Sequence, residues 1–195
     1  IGDGSYDSRR NNHPRLLRNL GGWRFEDVTA ASGLPTNGAN SLGFALGDVN
    51  HDGRVDVFMA GDNRLFLGAT NGGFREASFK PLERKYMSRI DRNGFFCGAA
   101  FGDLNGDGRL DLAMPTVGLL GALDKLLPHW QPGHTQMMAW DLRTRRPLAG
   151  MPRRTKDLAF FVTPALVDMD GDGDLDIVAG HGVSLLESSD AHGDV

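Results

Sequence analysis

The feature that most constrains this chain is a stretch that occurs three times. It reads GFALGDVNHDGRVDVFMAG at 43–61, GAAFGDLNGDGRLDLAMPT at 98–116 and TPALVDMDGDGDLDIVAGH at 163–181. Each copy has a small-residue apolar lead, then D-x-[DN]-x-D-G-x-[VL]-D, then a second apolar stretch. The first acids, Asp48, Asp103 and Asp168, stand 55 and 65 residues apart. Self-similarity at a near-fixed period marks a repeat architecture, in which neighbouring units stack to bury faces that none can bury alone.

The flanks of each acidic loop are short, apolar and rich in Val, Leu and Ile, and neither keeps a helical period for three turns, so they read as strands. In the first full unit the pattern predicts strands at 44–49, 55–60, 64–69 and 73–79. Further strands are expected at 135–142 and 183–188. Four short antiparallel strands per repeat are the pattern of a propeller blade. The fold class is therefore all-β, built of four-stranded antiparallel β-propeller blades. PRLLRNLGGWRFEDVTAASG (14–33) matches NRLFLGATNGGFREAS (63–78) as strand, Gly-Gly turn, aromatic, strand. Residues 1–33 thus form the outer part of a preceding blade. A blade at 34–80 carries the loop 48–56. A blade at 81–162 carries the loop 103–111 and an insertion near 117–134, and a partial blade at 163–195 carries the loop 168–176. This falls short of the roughly four blades of the smallest ring. The expectation is an incomplete propeller, a fragment or one completed by other chains, and the first residue, Ile1 rather than Met, suggests processing or truncation.

Within each loop, alternate side chains converge on one focus. Positions 1, 3 and 5 supply oxygens from Asp48, Asn50 and Asp52, from Asp103, Asn105 and Asp107, and from Asp168, Asp170 and Asp172. Position 6 is glycine each time, as a sharp turn with positive φ requires. Position 7 varies (Arg54, Arg109, Asp174), as expected of a residue that contributes only its backbone oxygen. Position 9 is Asp56, Asp111 and Asp176. Five oxygen ligands in a flexible loop suit calcium, with water completing the shell, so three calcium sites are expected. Without a cation, two carboxylates at roughly 5 Å repel by about 3 kcal/mol at an effective dielectric of about 20. A plain surface turn gives no reason to build that three times. The third loop carries four carboxylates at its ligand positions where the others carry three, so it is expected to bind tightest. Position 12 is Met59, Met114 or Ala179 instead of the glutamate an EF-hand needs. No Cys and His cluster has zinc spacing.

These residues resemble the FG-GAP/VCBS repeat of integrin-alpha-type propellers. NLGGWRFEDVTAASGL resembles the lead-in to such repeats in secreted bacterial proteins and in cartilage-acidic-protein-like proteins. MMAWDLRTRRPLAGMPRRTKDLAFFVTPALVDMDGDGDLDIVAG resembles a variant in which a W-D strand and a G-x-P turn precede the loop. The resemblance implies a seven- or eight-bladed propeller with calcium on one rim, located outside the cell or at its surface, with the periplasm as a further option.

Composition narrows the function classes. The net charge is −4, and the loops hold 11 of the 25 acids, leaving 14 against 21 Lys and Arg. With cations bound, the remaining surface would be mildly basic. No recognition motif for nucleic acid accompanies this charge, and no apolar run reaches the roughly 18 residues that span a bilayer. The single cysteine, Cys97, reads as a buried, inert strand residue. The leading expectation is an interaction, adhesion or scaffold module with a protein or extracellular glycan partner. The alternatives are a lectin-like propeller and a non-catalytic part of a secreted carbohydrate-active enzyme. No catalytic residue is expected. His129, Trp130 and His134 in the insertion, and the basic run Arg143, Arg145, Arg146, Arg153, Arg154 and Lys156, lack any nucleophile or paired catalytic acid. The basic run reads as a solvated strand and turn, or as a site for an anionic partner. Trp23, set against Phe74 of the next unit, is expected to pack between blades, whereas Trp130 and Trp140 are candidates for stacking on sugars.

Overall fold

A computed structural model of the chain describes residues 13–37, 41–77, 98–116, 136–151, 153–154 and 163–180. The predicted insertion near 117–134, the strand at 183–188, Cys97, His129, Trp130, His134 and Lys156 lie outside the described residues. The regular secondary structure among the described residues is almost entirely antiparallel sheet.

The first full blade is a four-strand meander of β3 (Ser41–Gly47), β4 (Asp56–Gly61), β5 (Arg64–Gly68) and β6 (Phe74–Ala77), in that spatial order. The strands form where Val, Phe, Leu and Met alternate between two faces, and short turns place sequential strands side by side. β3 starts earlier than the pattern predicts, with a register irregularity between Ser41 and Gly43. The outer pair β5–β6 is fastened by Arg64, which donates to both carboxylate oxygens of Glu76 at 2.8 and 2.7 Å and stacks over Phe66, 5.1 Å from the ring centre. This pairing holds the Glu76 carboxyl below its ordinary range.

The second blade repeats the plan with β7 (Ala100–Gly102), β8 (Asp111–Thr116) and β9 (Gln136–Asp141). Its outer position is shared by two short segments on the same edge of the blade. β10 (Arg146–Pro147) pairs with Asp141 and Trp140, and β11 (Arg153–Arg154) pairs with Met137 and Gln136. The third blade shows its inner hairpin, β12 (Ala165–Val167) against β13 (Asp176–Val178). Ahead of the first full blade stands an outer hairpin, β1 (Leu17–Asn19) and β2 (Phe25–Asp27). It is followed by a single helical turn, α1 (Thr29–Ser32), that the strand pattern did not predict. Gly33 ends that turn at φ 82°, and a Cβ there would lie 2.2 Å from the Phe74 carbonyl oxygen, so only glycine fits.

The core lies between blades. Ala45, Phe58, Ala60 and Leu65 of the first full blade pack against Ala99, Leu112, Met114, Met138 and Trp140 of the second. Phe58 and Phe101 meet edge to face, 6.5 Å between ring centres. On the opposite face of the first full blade, Val57, Met59 and Phe66 pack with Leu34, Leu16, Phe44 and Phe74. Each large apolar side chain buried this way contributes about 1.5–3 kcal/mol, and β4, buried throughout, is covered on both faces.

Trp140 is buried within this core and is not presented to a ligand. Trp23 departs from expectation in the other direction, being 93% exposed. The hydrogen bonds explain it. Leu20 N–H donates to Arg24 O as Ala69 N–H donates to Gly73 O, so Trp23 matches Gly72, and Phe25 matches Phe74. Trp23 therefore sits on the turn itself at φ 61°, where Gly72 has φ 79°, and its ring projects away from the sheet.

Candidate metal centre

The three acidic loops join the two inner strands of successive blades, and each is held by the same internal frame. Position 1 accepts two backbone N–H groups. Asp48 takes those of Asp52 and Gly53 at 3.0 and 2.7 Å, Asp103 those of Asp107 and Gly108 at 3.1 and 2.7 Å, and Asp168 those of Gly171 and Gly173 at 2.7 and 3.0 Å. Position 3 accepts the N–H of position 5. Asn50 takes that of Asp52 at 3.1 Å, Asn105 that of Asp107 at 2.9 Å, and Asp170 that of Asp172 at 3.3 Å. Position 5 accepts the N–H of position 7. Asp52 takes that of Arg54 at 3.0 Å, Asp107 that of Arg109 at 3.0 Å, and Asp172 that of Asp174 at 2.9 Å. Each loop curls around its own side chains, whose oxygens accept the loop's backbone N–H groups.

Two positions in each loop require left-handed backbone. Position 6 is Gly53, Gly108 and Gly173, at φ 78°, 78° and 96°. Position 4 is His51, Gly106 and Gly171, at φ 58°, 70° and 80°. His51 thus occupies a conformation that costs a residue with a Cβ about 1–2 kcal/mol.

Position 9 does something the sequence reading missed. Asp56 and Asp111 are fully buried at the start of β4 and β8. In every loop the position-9 carboxylate accepts the N–H of position 2, from Val49 at 2.9 Å, Leu104 at 3.0 Å and Met169 at 3.1 Å. Asp56 also accepts the Gly68 N–H at 2.7 Å, reaching across to the end of β5. It ties three strands together. The signal for this role was the position itself, the first residue of a fully buried strand.

Electrostatics differ between loops. Burial pulls Asp48 upward, but the N–H groups of Gly53 and Asp52, helped by His51, leave its carboxyl below the ordinary range. Burial pushes Asp111 up to about 6 against the Leu104 N–H, and the charges of Asp141, Asp107 and Asp103 push the same way. Asp141 lies directly opposite Asp111 in the β8–β9 register. It stays below its ordinary value because the Thr144 and Arg143 N–H groups and the Thr144 hydroxyl outweigh its burial. In the first loop an internal cation is present. Arg54 pairs with Asp52 and also donates from Nε to the Gly68 carbonyl at 2.9 Å.

The third loop has aspartate where the others have asparagine, and aspartate where they have arginine. Asp168, Asp170 and Asp172 place carboxylate oxygens within 4.8 Å of one another at the surface. This group could hold a metal ion. Its donor set is all oxygen and anionic, which fits a hard cation such as calcium and not zinc. Asn50 and Asn105 occupy the equivalent position in the other loops, and among the described residues neither Asp48, Asp52 and Asp56 nor Asp103, Asp107 and Asp111 gather in this way, while Asp176 stands outside the third group.

Stacked antiparallel blades, each with an aspartate loop between its inner strands, define an all-β repeat protein of the β-propeller type. The chain belongs to the FG-GAP-like repeat family, which matches residues 5–59 and 48–114. It is also similar to cartilage acidic protein 1 of Xenopus tropicalis, at 26% identity over 177 residues, and to cartilage acidic protein 1 of Homo sapiens, at 24% over 179 residues. Each alignment covers 88% of this chain and 25% of the relative, so the chain spans about a quarter of the length of the curated relatives it matches. FG-GAP repeats form protein-interaction modules, and no described helix is long and apolar enough to cross a membrane.

Proposed function

We propose that this chain is a calcium-fastened interaction module, working outside the cell or at its surface as part of an adhesion or scaffold assembly. The observation that carries the reading is the third loop, where Asp168, Asp170 and Asp172 gather three carboxylates, while the other two loops share its side-chain to backbone hydrogen bonds at positions 3 and 5. Asp48, Asn50, Asp52 and Asp56 would hold the first ion, with the backbone oxygen of Arg54. Asp103, Asn105, Asp107 and Asp111, with the backbone oxygen of Arg109, would hold the second. Asp168, Asp170, Asp172 and Asp176, with that of Asp174, would hold the third. When bound, calcium supplies the positive charge that lets these carboxylates stand together. The chain's own part is to hold the loop frame and so fix the angle between the inner strands of each blade. Millimolar calcium outside the cell suits sites of moderate affinity.

The experiment is thermal unfolding of the chain in chelator, in calcium and in magnesium. A rise in Tm with calcium but not magnesium supports structural calcium sites. Equal curves in all three would remove calcium from the proposal.

One observation favours a glycan as the partner. Trp23 stands exposed on a hairpin tip in a strained backbone conformation, a presentation suited to stacking on a sugar ring. A glycan array with wild-type and Trp23→Ala protein checks this, and signals that do not depend on Trp23 would leave the protein-partner reading in place. The proposed role is binding, without catalysis within these residues.

A further inference from the structure

The outer edge of the second blade is built differently from that of the first. In the first full blade, β6 runs beside β5 without a break. In the second, β10 pairs Arg146 with Asp141, and the Leu148 N–H donates to the Ala139 carbonyl at 3.0 Å, which carries the same register one pair further. β11 then pairs Arg153 with Met137. A step of two residues along β9, from Ala139 to Met137, is thus matched by a step of five on the outer edge, from Leu148 to Arg153. The extra residues form a bulge, closed by the Met151 N–H, which donates to the Leu148 carbonyl at 3.1 Å, with Gly150 at φ 81°.

Register fixes which side chains share a face. Paired residues on neighbouring strands, and alternate residues along one strand, point to the same side. Arg146, Leu148 and Arg153 therefore stand on the face of Asp141, Ala139 and Met137. Asp111 and Gly102 belong to that face through the registers of β8 with β9 and of β7 with β8. A Cβ on Gly102 would lie 2.6 Å from Leu166 Cδ1 of the third blade, so this is the face turned to the third blade. Leu112, Met114, Met138 and Trp140 occupy the other face, in the core with the first full blade.

Beside the bulge, between the second and third blades, lies an open cavity of about 270 Å³. Its walls are Leu148 and Met151 of the bulge, Leu104 and Asn105 of the second loop, and Leu175 and Ile177 of the third blade. The volume is just below the roughly 300 Å³ at which small-molecule pockets begin, so it suits one large side chain. Two guanidinium groups bracket it. Arg146 and Arg153 pair with residues four apart on β9, a distance of about 14 Å at roughly 3.4 Å per residue, with Leu148 between them. Both arginines are exposed, and neither forms an ion pair among the described residues. Arg153 reaches over the bulge, where a Cβ on Gly150 would lie 3.2 Å from its Nη2. Asp141, beside Arg146, gives its Oδ1 to the N–H groups of Arg143 and Thr144 at 2.8 Å each.

We infer that this edge of the second blade binds an extended acidic segment of a partner protein, with an aliphatic side chain in the cavity and a carboxylate on each arginine. An extended peptide places residues i, i+2 and i+4 on one side over the same span of about 14 Å. The recognised pattern is therefore acid-x-aliphatic-x-acid. The cavity supplies most of the affinity, because exposed ion pairs contribute little. The arginines set the sign and the register of the partner. The inference rests on the reading of this chain as an interaction module, and it places no metal ion in the contact.

The test is fluorescence anisotropy of labelled peptides with the full chain in calcium. The peptide Glu-Thr-Leu-Thr-Glu is expected to bind. Replacing its leucine by serine should weaken binding more than about tenfold, and replacing either glutamate by glutamine should weaken it up to about fivefold. Arg146→Glu/Arg153→Glu, at two exposed positions, should keep the wild-type Tm, lose this peptide and bind Lys-Thr-Leu-Thr-Lys instead. Arg75→Gln, exposed on β6, should bind as the wild type does. Equal binding of the leucine and serine peptides, binding unchanged in the double variant, or no binding at millimolar peptide would overturn the inference. So would heparin binding that needs both arginines in a chain that binds no peptide, which assigns the edge to an anionic glycan. A chain whose Tm ignores calcium but which binds the peptide keeps this inference and loses the calcium reading. A chain whose Tm rises with calcium but which binds no peptide does the reverse.

Discussion

Replacing Asp56 by alanine, with calcium removed by chelator, separates the loop frame from any metal. Asp56 is fully buried and accepts two backbone N–H groups, from Val49 at 2.9 Å and Gly68 at 2.7 Å. Hydrogen bonds to a charged acceptor are worth about 1.5–3 kcal/mol each, and buried donors left without a partner keep their full desolvation cost. The loss is about 3–6 kcal/mol, a large share of the roughly 5–15 kcal/mol that stabilises a domain. For a domain of about 150–250 residues this lowers Tm by roughly 6–24 °C. Asp111 accepts the Leu104 N–H, and its carboxyl is pushed up to about 6, so removing it also relieves an unfavourable charge. Asp176 is exposed and accepts the Met169 N–H at 3.1 Å, where water can replace it. In chelator the expected order of damage is therefore Asp56→Ala, then Asp111→Ala, then Asp176→Ala, measured by differential scanning calorimetry. Equal losses for Asp56→Ala and Asp176→Ala would refute the assignment of Asp56 as a buried tie between strands.

Other perturbations have distinct signatures. Asp172→Ala should reduce the calcium-dependent rise in Tm more than Asp52→Ala, because Asp52 already has Arg54 as a counter-charge and Asp172 stands among carboxylates; equal or reversed reductions in a calcium titration would contradict this. His51→Gly should raise stability by up to about 1 kcal/mol, as relief of the left-handed backbone outweighs the added chain entropy, and denaturant unfolding would show it. Asp27 is held at about 2, below 3.8, first by the Thr29 hydroxyl, then by the Thr29 N–H and by Arg15. Its stabilising effect is complete above the ordinary value and is lost as pH falls from about 4 through 2. The unfolding midpoint of Asp27→Asn should accordingly fall less over that range than that of the wild type.

The blade was legible in the sequence because its two determinants are local. Alternation of apolar residues placed β4, β5 and β6, and the Asp-Gly loops marked the joints between inner strands. The split outer edge of the second blade was not legible. Arg146–Pro147 and Arg153–Arg154 are too short for any periodicity, and only their shared partner β9 makes them strands. Trp23 was misplaced because the Gly-Gly pairs at 21–22 and 72–73 sit at different positions in turns of equal length, whereas hydrogen bonding aligns Phe25 with Phe74. The loop oxygens stood out from their spacing, but the burial of Asp56 depends on β5 closing over it, which is a tertiary fact. Glycine at position 4 of the second and third loops fits left-handed backbone, and His51 in the first loop hides the pattern.

Isothermal titration of the chain with calcium tests the central claim most directly. The expected result is saturable binding at three sites, with the tightest lost in Asp168→Asn/Asp170→Asn/Asp172→Asn and no comparable binding of magnesium. Absence of binding at millimolar calcium, or binding unchanged by that triple substitution, would contradict it.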